Sequence, residues 1–142
     1  MDDFLIVAPS AKFCQDQLDL FLSLCSYLGI PMGPEKTCGP VTTLSFAGIE
    51  LDSICTEACL PLDKIHKCTQ LICEFLGHKK VFLKEIQSLT GLLNFACSVI
   101  KPGRAFLRRL IDLTVGIRSP HHLIRLNKEV KGDMKVWLSF LD

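Results

Sequence analysis

LSFAGIELDSICTEACLPLDKI, residues 44–65, is the stretch in which the chain changes period. Up to Leu60 the apolar residues alternate: Leu44 and Phe46, then Ile49 and Leu51, with a phase slip at Ala47-Gly48 that reads as a strand with a bulge. Asp52-Ser53 supplies turn chemistry, so Cys55 to Leu60 is expected to return as the second arm of a hairpin. Beyond Pro61 the spacing lengthens to three and four residues. A sheet-forming segment joined to a helix-forming one makes this an α+β chain, with a subdomain junction near Leu60.

Downstream, Ile65, Cys68, Leu71, Ile72, Phe75 and Leu76 predict one helix, ended by Gly77. Ile86, Leu89, Leu92, Leu93, Ala96, Cys97 and Ile100 predict another, ended before Pro102-Gly103. A third is expected from about Arg104 to Val115, stopped at Gly116. Val130, Met134, Trp137 and Leu141 predict the last, in which Gly132 is a weak point costing about 1 kcal/mol against Ala.

Upstream, the apolar run Phe4-Leu5-Ile6-Val7-Ala8, closed by Pro9, predicts a short strand buried on both faces. Ser10 stands at a helix N-cap, and Cys14, Leu18, Phe21, Leu22, Cys25 and Leu28 form the apolar stripe of a helix stopped at Gly29. Residues 29–40, GIPMGPEKTCGP, hold three glycines and three prolines and must be a turn-rich loop.

A length of 142 residues is about one domain, and 49% apolar with 22% charged residues excludes a disordered or low-complexity chain. No apolar run approaches the roughly 20 residues of a membrane-spanning helix. The acidic opening Met1-Asp2-Asp3 lacks the basic segment of a secretory signal, so an intracellular protein of cytoplasm or nucleus is expected rather than a secreted one. The eight cysteines are accordingly expected as free thiols and small core residues. The net charge of +1 conceals an asymmetry. Residues 1–60 carry 2 basic and 8 acidic residues, net −6; residues 61–142 carry 14 basic and 7 acidic, net +7, and all 4 histidines. An acidic segment joined to a basic one points to cation handling in the first and polyanion contact in the second.

Among residues suited to chemistry, Asp2-Asp3 would hold a hard divalent cation such as Mg²⁺ through oxygen. Lys36, in the turn-rich loop, is placed to reach a phosphate. Lys79, Lys80 and Lys84, with Arg104, Arg108 and Arg109, are candidates for contact with a nucleic-acid backbone, which needs only basic residues on one face. Cys55 and Cys59, followed by His66, Cys68 and Cys73, lack the spacing of common zinc sites. No GxSxG, HExxH, Walker A or dinucleotide-binding pattern is present, so the corresponding enzyme classes have no support.

Five blocks in order, Met1-Asp2-Asp3 before an apolar run, LGIPMGPEKT at 28–37, LSFAGIEL at 44–51, LPLDKI at 60–65 and LKEIQSLTGLLNFACSVIKPGR at 83–104, resemble the reverse transcriptases of retroelements. The last block, with RAFLRRLIDLT, looks most like the DIRS-like branch of retrotransposons. The resemblance implies a partial palm in residues 1–60, a thumb-like helical region in 61–118, and in 119–142 a connection helix leading toward a ribonuclease H domain. It makes Asp2 and Asp3 the metal-binding aspartate pair of the YxDD turn, Lys36 a proton donor near the departing pyrophosphate, and Phe46-Ala47-Gly48 the primer-grip hairpin, with Ala47 a departure from the usual leucine.

The same resemblance places the fingers, the first half of the palm and a further catalytic aspartate upstream of Met1. It implies an RNA-directed DNA polymerase, a nucleotidyltransferase, that takes dNTP and Mg²⁺ or Mn²⁺ only when intact. For this stretch alone it implies binding of RNA–DNA or DNA duplex as template–primer, no tightly bound metal, no membrane, and self-association through the unpaired strand at 4–8. The alternative is a domesticated, non-catalytic helical module that binds a protein partner.

Overall fold

A computed structural model describes residues 3–142; Met1 and Asp2 lie outside the described residues. The fold is α+β and divides between Cys59 and Leu60 into two compact units.

In the first unit, helix α1 (Ala11–Tyr27) begins where Ser10, in extended backbone, accepts a hydrogen bond from the Phe13 amide at 3.3 Å. It ends in a Schellman turn. Gly29 sits at φ +71°, and the amides of Gly29 and Ile30 donate to Ser26 O and Cys25 O at 3.2 and 2.9 Å. The loop that follows contains one 3-10 turn, Pro34–Lys36, closed by Thr37 Oγ1 donating to Gly33 O at 3.0 Å.

Residues 43–59 form an antiparallel meander of β1 (Thr43–Phe46), β2 (Ile49–Asp52) and β3 (Glu57–Cys59). Ala47 and Gly48 both have positive φ, +50° and +77°, and Phe46 pairs with Ile49. The phase slip is therefore a two-residue type I′ turn between two strands, not a bulge in one strand. Asp52 makes the second turn by accepting from the amides of Ile54 and Cys55 at 2.8 and 2.9 Å. Those two bonds hold its carboxyl below the usual carboxylate range, and its charge pushes the Cys55 thiol up.

The strand expected at residues 4–8 does not form. No strand among the described residues pairs with it, and a lone strand leaves its backbone groups without a ladder. Phe4 packs instead on the Phe21 ring, centroids 4.9 Å apart, while Val7 is 85% exposed. Leu5 and Val7 thus stay exposed on an apolar segment that carries no strand edge.

The second unit is built from α2 (Leu62–Gly77), β4 (Lys80–Phe82), α3 (Leu83–Ala96), a 3-10 segment (Lys101–Phe106), α4 (Arg108–Asp112), β5 (Leu123–Arg125) and α5 (Lys128–Leu141). The buried residues of α2, α3 and α5, among them Ile72, Phe75, Ile86, Leu89, Leu93, Met134 and Trp137, make one core. Val81 and Ile124 enter it from a two-stranded ribbon, β4 with β5, which no local pattern in the sequence predicts. Through that ribbon and α5, residues 119–142 belong to the same compact unit as residues 60–118.

The helix expected from Arg104 to Val115 is broken. A Cβ at Gly103 would strike the Trp137 indole, so only glycine lets the backbone pass this close to the ring; the segment runs as 3-10 turns before five residues of α4. Gly116, at φ +81°, marks the stop as expected.

The cysteines are all free, but only Cys25 and Cys68 are buried; Cys38, Cys55, Cys59 and Cys73 are exposed, against the expectation of core residues. They lie on the outer faces of helices or in the poorly covered first unit. Among the described residues, no helix is long and apolar enough to cross a membrane.

Candidate nucleic-acid interface

Helix α3 has two faces of different chemistry. Leu83, Ile86, Leu89, Leu93 and Ala96 point into the core, and Glu85 caps the start by accepting from the Phe82 amide at 2.8 Å. The outward stripe is Lys84, Gln87, Gly91 and Asn94, at spacings of three, four and three, and all four are exposed. Its middle is uncharged and hydrogen-bonding.

Gln87, Thr90, Gly91 and Asn94, with Ile111 and Thr114 from beyond α3, line an open cleft of about 380 Å³. A Cβ at Gly91 would meet nothing within 4 Å, so the helix does not need glycine there for its own packing. The absent side chain leaves a gap through which another molecule can approach the helix backbone. Thr90 Oγ1 is buried without a hydrogen-bond partner.

Cations stand at both ends of this stripe. Lys84 is in the first turn of α3, while Arg104 and Lys101 lie close enough to Cys97, at the helix C-cap, to oppose the upward push that burial gives its thiol. Arg108 is one turn before Ile111 on α4, in an exposed pair with Asp112 at 3.1 Å. Such a pair is weak and exchanges readily for a phosphate.

The other basic candidates are placed differently. Arg109 is held by Asp133, a carboxylate with 8% side-chain exposure, at 2.8 Å, so it serves to neutralise a buried charge of the fold. Lys80 lies on the ribbon opposite Arg125, and Lys79 just precedes it. None of the six basic candidates lines the cleft itself; Lys84 stands one turn before Gln87 on α3 and Arg108 one turn before Ile111 on α4, while Arg109 is engaged with Asp133.

In the first unit, Lys36 is exposed in its 3-10 turn, Phe46 is half-buried, and Ala47-Gly48 are the tip of the β1–β2 hairpin. Asp3 is exposed, and Asp2 lies outside the described residues. A divalent cation needs several oxygen ligands at once. Among the described residues no three carboxylate, histidine or cysteine side chains gather, so they do not by themselves fit a metal pair.

Gln87, Thr90, Gly91, Asn94 and Thr114 escape a sequence reading that uses charge alone as the signal of nucleic-acid contact. The available clue is a polar stripe with a central glycine in an otherwise apolar helix, LKEIQSLTGLLNFA.

No protein-family model matches this sequence, and no curated protein is close enough in sequence to count as a match. In fold the chain is similar to a foamy viral protease-reverse transcriptase, solved in complex with an RNA/DNA hybrid, with a TM-score of 0.64 and 16% identity. The likeness covers 96% of this chain and 17% of that one, so the chain spans about a sixth of the length of the protein it resembles.

Proposed function

We propose that this chain is a retroelement-derived part of an RNA-directed DNA polymerase, partial palm and thumb, and that its helical unit binds the template–primer duplex. The observation that carries the reading is the outward face of α3: neutral amide groups at Gln87 and Asn94, a gap at Gly91, Lys84 in the first turn, and Lys101 and Arg104 near Cys97 beyond the last. A minor groove presents base acceptors along its floor and, in RNA, 2′-hydroxyls, between two rows of phosphate. Amides over the floor and cations toward the phosphates fit that pattern without requiring a particular sequence. The likeness in fold to a reverse transcriptase solved with an RNA/DNA hybrid supports it.

Binding of a fluorescent RNA–DNA hybrid, followed by anisotropy, tests the proposal. Affinity should fall steeply with salt. Gly91→Leu should raise the melting temperature, because leucine is the better helix former, yet weaken the hybrid about tenfold. Affinity indifferent to both salt and Gly91→Leu overturns the reading.

Polymerisation belongs to the intact enzyme, with dNTP and Mg²⁺ or Mn²⁺ at a site to which the described residues would contribute Asp3 as a metal ligand and Lys36 beside the departing pyrophosphate. This chain alone is expected to show no primer extension; extension that is lost in Asp2→Ala contradicts that. A protein-binding module is the second reading, favoured by the exposed apolar residues Phe13, Leu20, Leu24 and Tyr27 along one side of α1. It predicts no salt-dependent affinity for the hybrid.

A further inference from the structure

Helix α5 separates its charges by side. Glu129 and Asp133 face Arg109, at 4.0 and 2.8 Å. Lys128, Lys131 and Lys135, at spacings of three and four, lie on another side, where with Gly132 and Leu76 they line a groove of about 390 Å³ against the end of α2. Lys131 Nζ donates to Leu76 O at 2.8 Å, and so caps a carbonyl of the last turn of α2. Among the described residues none of the three lysines forms a salt bridge.

Three features of this side work against the helix itself. Lys128 is the first residue of α5, where the helix dipole disfavours a cation. Lys131 and Lys135 are like charges one turn apart. Gly132, mid-helix, costs about 1 kcal/mol against alanine, although a Cβ there would meet nothing within 4 Å. Local choices that oppose the fold, gathered in one groove, mark a place selected for something other than stability. A polyanion relieves the two charge penalties, by pairing the lysines and complementing the helix N-terminus, and can use the open space over Gly132 to approach the helix.

We propose that this groove binds the sugar–phosphate backbone of a nucleic-acid strand, as a second contact separate from the α3 face. It shares no residue with the α3 cleft, and it lies on the α2 side of α5 whereas Arg109 marks the α4 side. Lys128 and Lys135 are about 10 Å apart along the helix axis. At about 3.4 Å of axis per nucleotide of one strand, that span takes about three phosphate steps. Lysine suits the task because its ammonium acts as a point charge that follows a mobile phosphate, without the fixed geometry of a guanidinium. The inference rests on the proposed duplex binding and adds a second place on the unit where the same nucleic acid is held.

The test is the salt dependence of hybrid binding by the whole chain, for the wild type, for Lys128→Gln with Lys135→Gln, and for Gly132→Ala. Lys131 is left in place because it caps α2. The double variant should melt slightly higher, because both charge penalties on α5 are relieved, yet bind about tenfold more weakly near 0.1 M salt, and lower the magnitude of the log–log salt slope by about 2, one for each phosphate no longer neutralised. Gly132→Ala should melt higher and bind more weakly. Wild-type binding with an unchanged slope in the double variant overturns this groove and leaves the α3 reading standing. A wild type that does not bind the hybrid overturns both. Displacement of the hybrid by polyglutamate from the double variant and the wild type alike, with no difference in hybrid slope, likewise rejects a strand-binding groove.

Discussion

The two units use apolar residues in opposite ways. Of the 19 apolar residues buried among the described residues, 18 lie from Leu60 onward in one connected core, and Cys25 alone lies before it. Of the 16 large apolar residues left exposed among the described residues, 11 lie before Leu60, from Phe4 to Ile54. The first unit has well-made local structure, a capped helix and a registered meander, yet closes over almost nothing. The second mixes three helices of 14 to 16 residues with short or broken pieces, and closes over a core in which Trp137, Met134 and Leu93 have no exposed surface. Local correctness and self-sufficiency are thus separate properties: turn and cap chemistry makes the first, and only pooled apolar area makes the second.

The comparison breaks most readily at Trp137. Replacing it with alanine empties the centre of the second unit and should cost about 3–5 kcal/mol, seen as loss of the cooperative helical melt in circular dichroism. Gly103→Ala attacks the same packing from the other side and should cost about 1–3 kcal/mol by overpacking. Because Trp137 is the only tryptophan, its fluorescence follows this unit alone. A melt insensitive to either change would mean that the second unit is not held by this core.

Arg109→Met sharpens the distinction between basic residues that bind and those that support. It leaves Asp133 buried without its partner and should lower stability by about 2 kcal/mol, the guanidinium being half exposed. The salt slope of hybrid binding should not change. A changed slope would move Arg109 from the fold to the interface.

In the first unit the expected effects are smaller and local. Ala47 holds φ +50°, which asparagine tolerates better in a type I′ turn, so Ala47→Asn should stabilise the hairpin by about 1 kcal/mol. Slower amide exchange at Phe46 and Ile49, with no change in α2 or α3, is the readout.

The smallest effect concerns Asp52. Its folded pKa lies below the ordinary 3.8 because it accepts the Cys55 and Ile54 amides. The stabilisation is therefore present above pH 3.8 and is lost as pH falls through the lower folded value. The Ile54 and Cys55 amides should exchange faster below that range. In Asp52→Asn, which keeps an acceptor oxygen but does not titrate, that pH dependence should vanish.

What can be read in the sequence follows the same division. Helices α1, α2, α3 and α5 are legible because a stripe at three- and four-residue spacing is a property of one contiguous segment, and Ser10 and Gly29 announce their own caps. The run at 4–8 misleads because apolar continuity signals burial only if something covers it. The Ala47-Gly48 turn looks like a bulge because alanine in place of asparagine hides the usual type I′ signature. The β4–β5 ribbon pairs three residues with three, about forty positions apart, and no local pattern encodes such a contact. The candidate site is legible in charge, at Lys84, Arg104 and Arg108, but not in its centre. Gln87, Gly91 and Asn94 carry no charge and become a face only when α3 turns its leucines inward.

The central claim is that this face meets a duplex, and the side-chain amides of Gln87 and Asn94 report on it most directly. In ¹⁵N-labelled whole chain titrated with a short RNA–DNA hybrid at low salt, the account predicts that both NH₂ pairs shift and that the shifts reverse on adding salt, with the amides of α1 far less affected. Unmoved Gln87 and Asn94 signals, in the presence of hybrid that binds elsewhere or not at all, would contradict it.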